Sequence, residues 1–251
     1  MIENILLFML VGFVAQIIDG ALGMAYGVSS TTFLLSLGVP PAVASASVHT
    51  AEMFTTAASG LSHLRFGNVD RKLIVALILP GVIGGVLGAY VLTQLPTQII
   101  KPAMAIYLLV MGALIFIRAM RGKPEEKREP RHLTLLALVG GFSDAIGGGG
   151  WGPIVTSTLV ADGHDPRFTI GSVNASEFFI TLSESITFIA VLGSTLLENW
   201  TTIVGLLLGG VIAAPLAAYV CRKLPARALM ILVGVLITLL SIRTLILAFM
   251  G

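Results

Sequence analysis

Two glutamates, Glu52 and Glu177, stand well inside long apolar stretches of this chain. A carboxylate at membrane depth costs at least about 2.5 kcal/mol, so it normally faces a cavity or a partner and marks a proton or ion pathway. Held protonated, the same group can instead serve as a hydrogen bond between helices. His49 lies one turn before Glu52 on the same helix face, and imidazole is the side chain whose ordinary pKa lies near neutrality. Asp19 and Asp144 each open a glycine-rich stretch, DGALGMAYG and DAIGGGGWG, where they could cap the short helix that follows. The glycines Gly23, Gly27, Gly148, Gly149, Gly150 and Gly152 are expected to interrupt helical backbone and free N–H groups. Short helices beginning at Val28 and Pro153 would aim their N-termini at the same place. A helix N-terminus carries about half a positive charge and unpaired donors, which suits an oxyanion without an intramembrane Arg or Lys. Pro153 fits a first helical turn. Ser29, Ser30, Thr31, Ser47, Thr156 and Ser172 add hydroxyl donors, and Asn174 adds an amide. Trp151 and Tyr26 either shape the site or pack between helices.

Other chemistries fit less well. The glycine run at 147–150 lacks the Lys and Ser/Thr of a nucleotide-binding loop. No HExxH motif and no His/carboxylate group at catalytic or metal-ligand spacing is present, so neither an enzyme nor a bound metal or cofactor is expected. Asp19, Asp144, Glu52, Glu177 and His49 together could offer hard ligands to a divalent cation, which keeps a cation transporter open beside an anion carrier or a passive anion channel.

The elements that must position these residues are hydrophobic helices. Of 251 residues, 56% are apolar and 11% charged, with a mean hydropathy of +0.97. A soluble domain has about 25% charged residues, so a soluble enzyme, a nucleic-acid binder and a disordered regulator are all excluded. The net charge of +2 is too small to argue for a polyanionic partner, and a single Cys221 allows no internal disulfide. The N-terminus lacks the basic region and cleavage site of a secretory signal. Apolar runs occupy residues 2–18, 28–37, 42–61, 73–92, 99–117, 133–142, 154–160, 168–192, 201–221 and 226–249. Most can cross a hydrocarbon core of about 30 Å; those at 28–37, 133–142 and 154–160 are too short. An open sheet edge cannot lie in lipid and no barrel-like alternation occurs, so the chain is all-α and polytopic.

The short runs flank the two glycine stretches, and the stretches belong to a duplication. At an offset of 125 residues Asp19 matches Asp144, Gly27 matches Gly152, Thr31 matches Thr156, Ser47 matches Ser172, and Glu52 matches Glu177. His49 falls opposite Asn174. After a small insertion GAYVLTQLP matches AAYVCRKLP. Two repeats, 1–117 and 133–251, are then joined by a basic linker, 118–132. Basic residues follow the 42–61 run (His63, Arg65, Arg71, Lys72) but not its counterpart near Glu198. One connection later the bias reverses, with Arg222, Lys223 and Arg227 in the second repeat only. The positive-inside rule therefore predicts repeats of inverted topology, built on glycine-broken or re-entrant helices, with the linker cytoplasmic and both termini outside. Each repeat needs an odd number of crossings, either five or three plus a re-entrant hairpin.

The segments GFVAQIIDGALGMAYG, GGFSDAIGGGGWGP, SVHTAE and SVNASE, on two span groups around a basic linker, resemble the sulfite exporter TauE/SafE family, also called the toluene sulfonate uptake permeases. The resemblance covers essentially the whole chain. It implies an inner-membrane secondary transporter of a small sulfur-containing anion such as sulfite, sulfoacetate or another organosulfonate. Glu52 and Glu177 would couple its passage to protons. The first copy departs from the second in its sparser glycines and in Val28, which stands where the second has Pro153.

Overall fold

The computed structural model describes residues 2–22, 24–120, 132–223 and 226–250; Gly23 and residues 121–131 of the basic linker lie outside the described residues. The described chain is helical throughout. The first half comprises α1 (Ile2–Leu22), α2 (Tyr26–Ser36), α3 (Pro41–Arg65), α4 (Arg71–Gln94) and α5 (Thr97–Met120). The second comprises α6 (Leu133–Gly147), a π-turn (Gly152–Thr156) leading into α7 (Ser157–Ala161), α8 (Pro166–Glu198), α9 (Trp200–Lys223) and α10 (Ala226–Met250). Among the described residues, four helices are long and apolar enough to cross a membrane: Arg71–Gln94, Thr97–Met120, Arg167–Glu198 and Met230–Phe249. The chain is thus a polytopic membrane protein.

Helix starts follow from local chemistry. The Asp70 carboxylate accepts the N–H groups of Lys72 (2.9 Å) and Leu73 (3.4 Å), and Asp165 does the same for Arg167 and Phe168, so α4 and α8 begin on side-chain caps. The outer helices turn apolar residues outward at helical spacing, as in Val75, Leu79, Ile83 and Leu87 of α4. The polar helices α3 and α8 are central. At about 37 Å, α3 is long enough to span the membrane, yet it buries Ser45, Ser47, His49, Glu52, Thr55 and Thr56. In α8, Asn174, Ser176, Glu177, Thr181, Glu184 and Ser185 are buried.

These two equivalent helices run antiparallel against each other. Contacts pass from His49 against Glu184, through Thr56 against Thr181, to Ser59 against Asn174, and end with Gly171 against Asn68 beyond α3. The Thr56 and Thr181 hydroxyls are 3.4 Å apart although they occupy the same position in the two repeats.

Close backbone approach assembles the flanks. A methyl on Gly84 would strike the Leu138 carbonyl, and one on Gly88 would come 2.5 Å from the Phe142 carbonyl, so α4 packs on α6 through its glycines. The equivalent pair, α1 on α9, does the same at Gly12 and Gly209. Two arginines tie the halves crosswise. Arg243 of α10 donates to the Ser36 carbonyl at the end of α2, and Arg118 of α5 donates to the Ser157 carbonyl in α7. The first contact puts a cation at the negative end of a short helix. Arg118, expected at the start of the linker, therefore lies within α5, which runs to Met120.

If bare backbone is what seats α4 on α6, Gly84→Leu should destabilise the protein by at least roughly 1–3 kcal/mol, as overpacking does. Leu79→Ala, on the exposed face, should have little effect. Thermal unfolding of both variants in detergent distinguishes them.

Candidate functional site

The two aspartates are the anchors of the broken helices. Asp144 Oδ1 accepts the Trp151 N–H at 2.8 Å, and Asp19 Oδ1 accepts the Tyr26 N–H at 3.4 Å. In each repeat the carboxylate reaches seven residues ahead and holds the first N–H of the short helix. This changes the expected boundaries. Helical backbone starts at Tyr26 and Trp151, not at Val28 and Pro153, so Gly27 and Gly152 lie inside the first turns and do not interrupt the helix. The interruption is confined, among the described residues, to Met24 and Ala25 in one repeat and to Gly148, Gly149 and Gly150 in the other. Gly148 (φ 71°) and Gly149 (φ 132°) occupy conformations that suit glycine; Ala25 adopts φ 97° in spite of its methyl group.

The two interruptions meet. A Cβ on Gly27 would lie 2.7 Å from the Gly149 Cα and 3.4 Å from Glu52 Oε2. The Thr31 hydroxyl donates to the Gly148 carbonyl, and the Tyr107 hydroxyl donates to that of Gly149 at 2.9 Å. Residues from α2, α5 and the second glycine stretch thus close around one point, with the Glu52 carboxyl beside it.

Around that point the structure gathers five buried carboxyl groups. Asp19, Glu52, Asp144, Glu177 and Glu184 are each at most 5% exposed. Glu52 and Glu177 lie on the two helices that pack against each other, α3 and α8. His49 is paired with two of the five carboxyl groups, its Nε2 3.5 Å from Asp144 Oδ2 and 3.2 Å from Glu184 Oε2. A centre of this kind cannot hold all its negative charges without protons or cations among them.

Glu184 is the residue that sequence reasoning missed. It lies two turns beyond Glu177 in the same apolar run, and that spacing alone could have marked it. Its counterpart in the first repeat is Ser59, however, so a search for duplicated acids passes it by. The pairing itself is duplicated. His49 faces Glu184, while their counterparts Asn174 and Ser59 are joined by a 3.0 Å hydrogen bond from the serine hydroxyl to the amide oxygen.

The other candidates divide. The hydroxyls of Ser29, Ser30 and Ser47 are buried without a hydrogen-bond partner, and Thr156 is fully buried. Ser172 is engaged elsewhere: its hydroxyl accepts the Asp70 N–H at 2.7 Å, at the loop end of α8. Trp151 contributes its backbone to the site, whereas its ring packs with Leu77, Val155 and Ile180 and its Nε1–H donates to the Val173 carbonyl at 3.2 Å. Tyr26 is likewise buried, its hydroxyl on the Leu206 carbonyl. A surface cleft of about 380 Å³ opens between Asp70, Arg71, His164 and Phe168, and none of the sequence-selected residues lines it.

A helical bundle that presents apolar residues outward and surrounds carboxylates at the junction of two broken helices is built for passage, and the class it defines is the multi-pass membrane transporter. The chain belongs to the sulfite exporter TauE/SafE family, which matches residues 8–244; it is a family of transporters and not of enzymes. It is 45% identical over 251 residues to the probable membrane transporter protein YtnM of Bacillus subtilis (strain 168), covering 97% of this chain and 83% of that one. No solved structure matches.

The strained Ala25 yields a direct test. Ala25→Gly should raise stability by up to about 1 kcal/mol, because a left-handed residue loses its steric penalty. Gly148→Ala should do the reverse, since a methyl there would strike the Thr31 side chain. Melting temperatures of the two variants check both signs.

Proposed function

We infer that the protein is a proton-coupled secondary transporter of a small sulfur-containing anion, such as sulfite, sulfoacetate or another organosulfonate, in the inner membrane. The observation that carries this reading is the meeting of Gly27 with Gly149 beside the Glu52 carboxyl. Irregular backbone at membrane depth is tolerated where it is buried in protein or lines a polar cavity, and transporters place their sites at such breaks. The unpartnered hydroxyls of Ser29, Ser30 and Ser47 supply donors for an oxyanion. The first N–H of each short helix is already held by an aspartate, so hydroxyls carry more of the recognition than helix ends do.

An oxyanion entering among ionised carboxylates is repelled. Binding is therefore favoured when Glu52 and Glu177 carry protons, which links the two fluxes. The name of the family supports sulfite as cargo. Alternating access would come from inverted repeats, 1–117 and 133–251. The antiparallel crossing of the equivalent helices α3 and α8, with Thr56 facing Thr181, supports that arrangement. In this reading the linker is cytoplasmic and both termini are outside.

Reconstitution in liposomes tests the proposal with labelled sulfite and sulfoacetate, with and without a pH gradient. The wild type should accumulate at least one of these anions in response to the gradient. Glu52→Gln and Glu177→Gln should each still bind the anion but flatten the dependence of flux on pH between about pH 5 and 8. An unchanged pH profile in both variants would end the coupling assignment, and no accumulation of any sulfur oxyanion would end the assignment of cargo.

A further inference from the structure

We propose that His49, Asp144 and Glu184 form a binding site for one divalent transition-metal ion, of the zinc or cobalt class. One ligand atom from each of the three lies within 4.8 Å of the other two, and all three side chains are buried, from 0 to 2% exposed. The residues come from α3, α6 and α8. No spacing within one helix could therefore have revealed them.

Three features of the site point to a metal in preference to a shared proton. First, the imidazole is oriented as a ligand. Its Nδ1 lies 2.7 Å from the Ser45 carbonyl, which places the proton there and leaves the Nε2 lone pair directed at the two carboxyl groups. A backbone carbonyl on the far nitrogen is the usual outer contact of a metal-bound histidine.

Second, the inner atoms approach one another without bonding. His49 Nε2, Asp144 Oδ2 and both oxygens of Glu184 are buried and have no hydrogen-bond partner. Charge-assisted hydrogen bonds are about 2.7–2.9 Å long, and the Nε2 separations of 3.5 and 3.2 Å exceed that. Ligands held at about 2.1 Å in a tetrahedron around zinc are about 3.4 Å apart, close to both separations.

Third, the charge balances. A neutral imidazole and two carboxylates carry −2, and one divalent ion makes these three ligands neutral. One imidazole with two carboxylates is a donor set that suits zinc and its neighbours in the first transition row.

The fold supports the site from outside. Asp144 Oδ1 is fixed by the Trp151 N–H, which leaves Oδ2 for the ion, and the absence of a side chain at Gly85 makes room for Glu184. The second copy of the arrangement, Asn174 with Ser59, is neutral and satisfied by its own hydrogen bond, so among the described residues there is one such site and not two. This assignment is independent of the cargo, because it is read by binding without flux.

The test is titration of the purified, chelator-stripped chain in detergent with Co²⁺, followed by its ligand-field absorption and checked by Zn²⁺ competition. The wild type should bind one ion per chain, and X-ray absorption of the zinc form should show one imidazole with oxygen ligands. His49→Asn and Glu184→Ser install the residues of the equivalent pair and should fold normally, as thermal unfolding would verify. Each should weaken binding by more than about 100-fold, beyond the loss seen when only an outer hydrogen-bond partner of a ligand is removed. Glu198→Gln, an exposed carboxylate beyond the kink at Gly193, should bind as the wild type does. A folded wild type that takes up no ion, a zinc spectrum lacking imidazole, or binding unchanged in both folded variants would each overturn the site.

Discussion

The seven-residue reach of Asp144 to the Trp151 N–H, repeated by Asp19 to Tyr26, is the interaction on which the rest of this structure depends. A helix broken inside a membrane exposes donors and acceptors that lipid cannot satisfy. Each aspartate closes that gap from within its own repeat and sets where the short helix begins. With α2 and the π-turn so placed, Gly27 can approach Gly149, Thr31 can reach the Gly148 carbonyl, and Tyr107 can reach that of Gly149. Without the caps there would be no defined point for the carboxylates of α3 and α8 to face.

The surrounding bundle solves a second problem, that of placing polar helices in an apolar solvent. Lipid competes for no hydrogen bonds but offers no drive to associate either, so helices must gain from close packing. Glycine provides it at α1 with α9 and at α4 with α6, where carbonyls touch backbone directly. Leucine, isoleucine and valine then cover the outside, while serine and threonine hydroxyls on α3 and α8 bond back to carbonyls one turn earlier, as Thr56 does to Glu52 and Thr181 to Glu177. Those bonds hide polar groups within the helix itself.

How much of this was legible in the sequence varies with the range of the interaction. Long-period patterns were readable: the apolar spans, the duplication, and the glycine stretches all depend on residue type along one chain. The aspartate caps were readable as a possibility, since Asp before a short helix has few other local uses. Contacts between helices were not. Ser172 matches Ser47 in the duplication, yet at its end of α8 the nearest donor is the Asp70 N–H, and no pattern along the chain encodes that proximity. Gly27 and Gly152 look like interruptions until the reach of Asp19 and Asp144 shows that the helix has already started. Arg118 reads as the first residue of a charged linker, because its carbonyl partner at Ser157 lies 39 residues away. Glu184 was hidden by the duplication itself, since symmetry draws attention to what recurs.

That break in symmetry has an energetic consequence. Where two halves of a carrier exchange roles between inward-open and outward-open forms, identical halves would give two forms of equal free energy and no preferred resting state. If the halves exchange roles as proposed above, His49 with Glu184 on one side, and Asn174 with Ser59 on the other, remove that degeneracy. The form that hydrates the imidazole and carboxyl would gain solvation that its mirror form could not match, because hydrating an amide and a hydroxyl yields less. A carrier built this way would idle with one door preferred, the direction of its bias set by two pairs of side chains between α3 and α8.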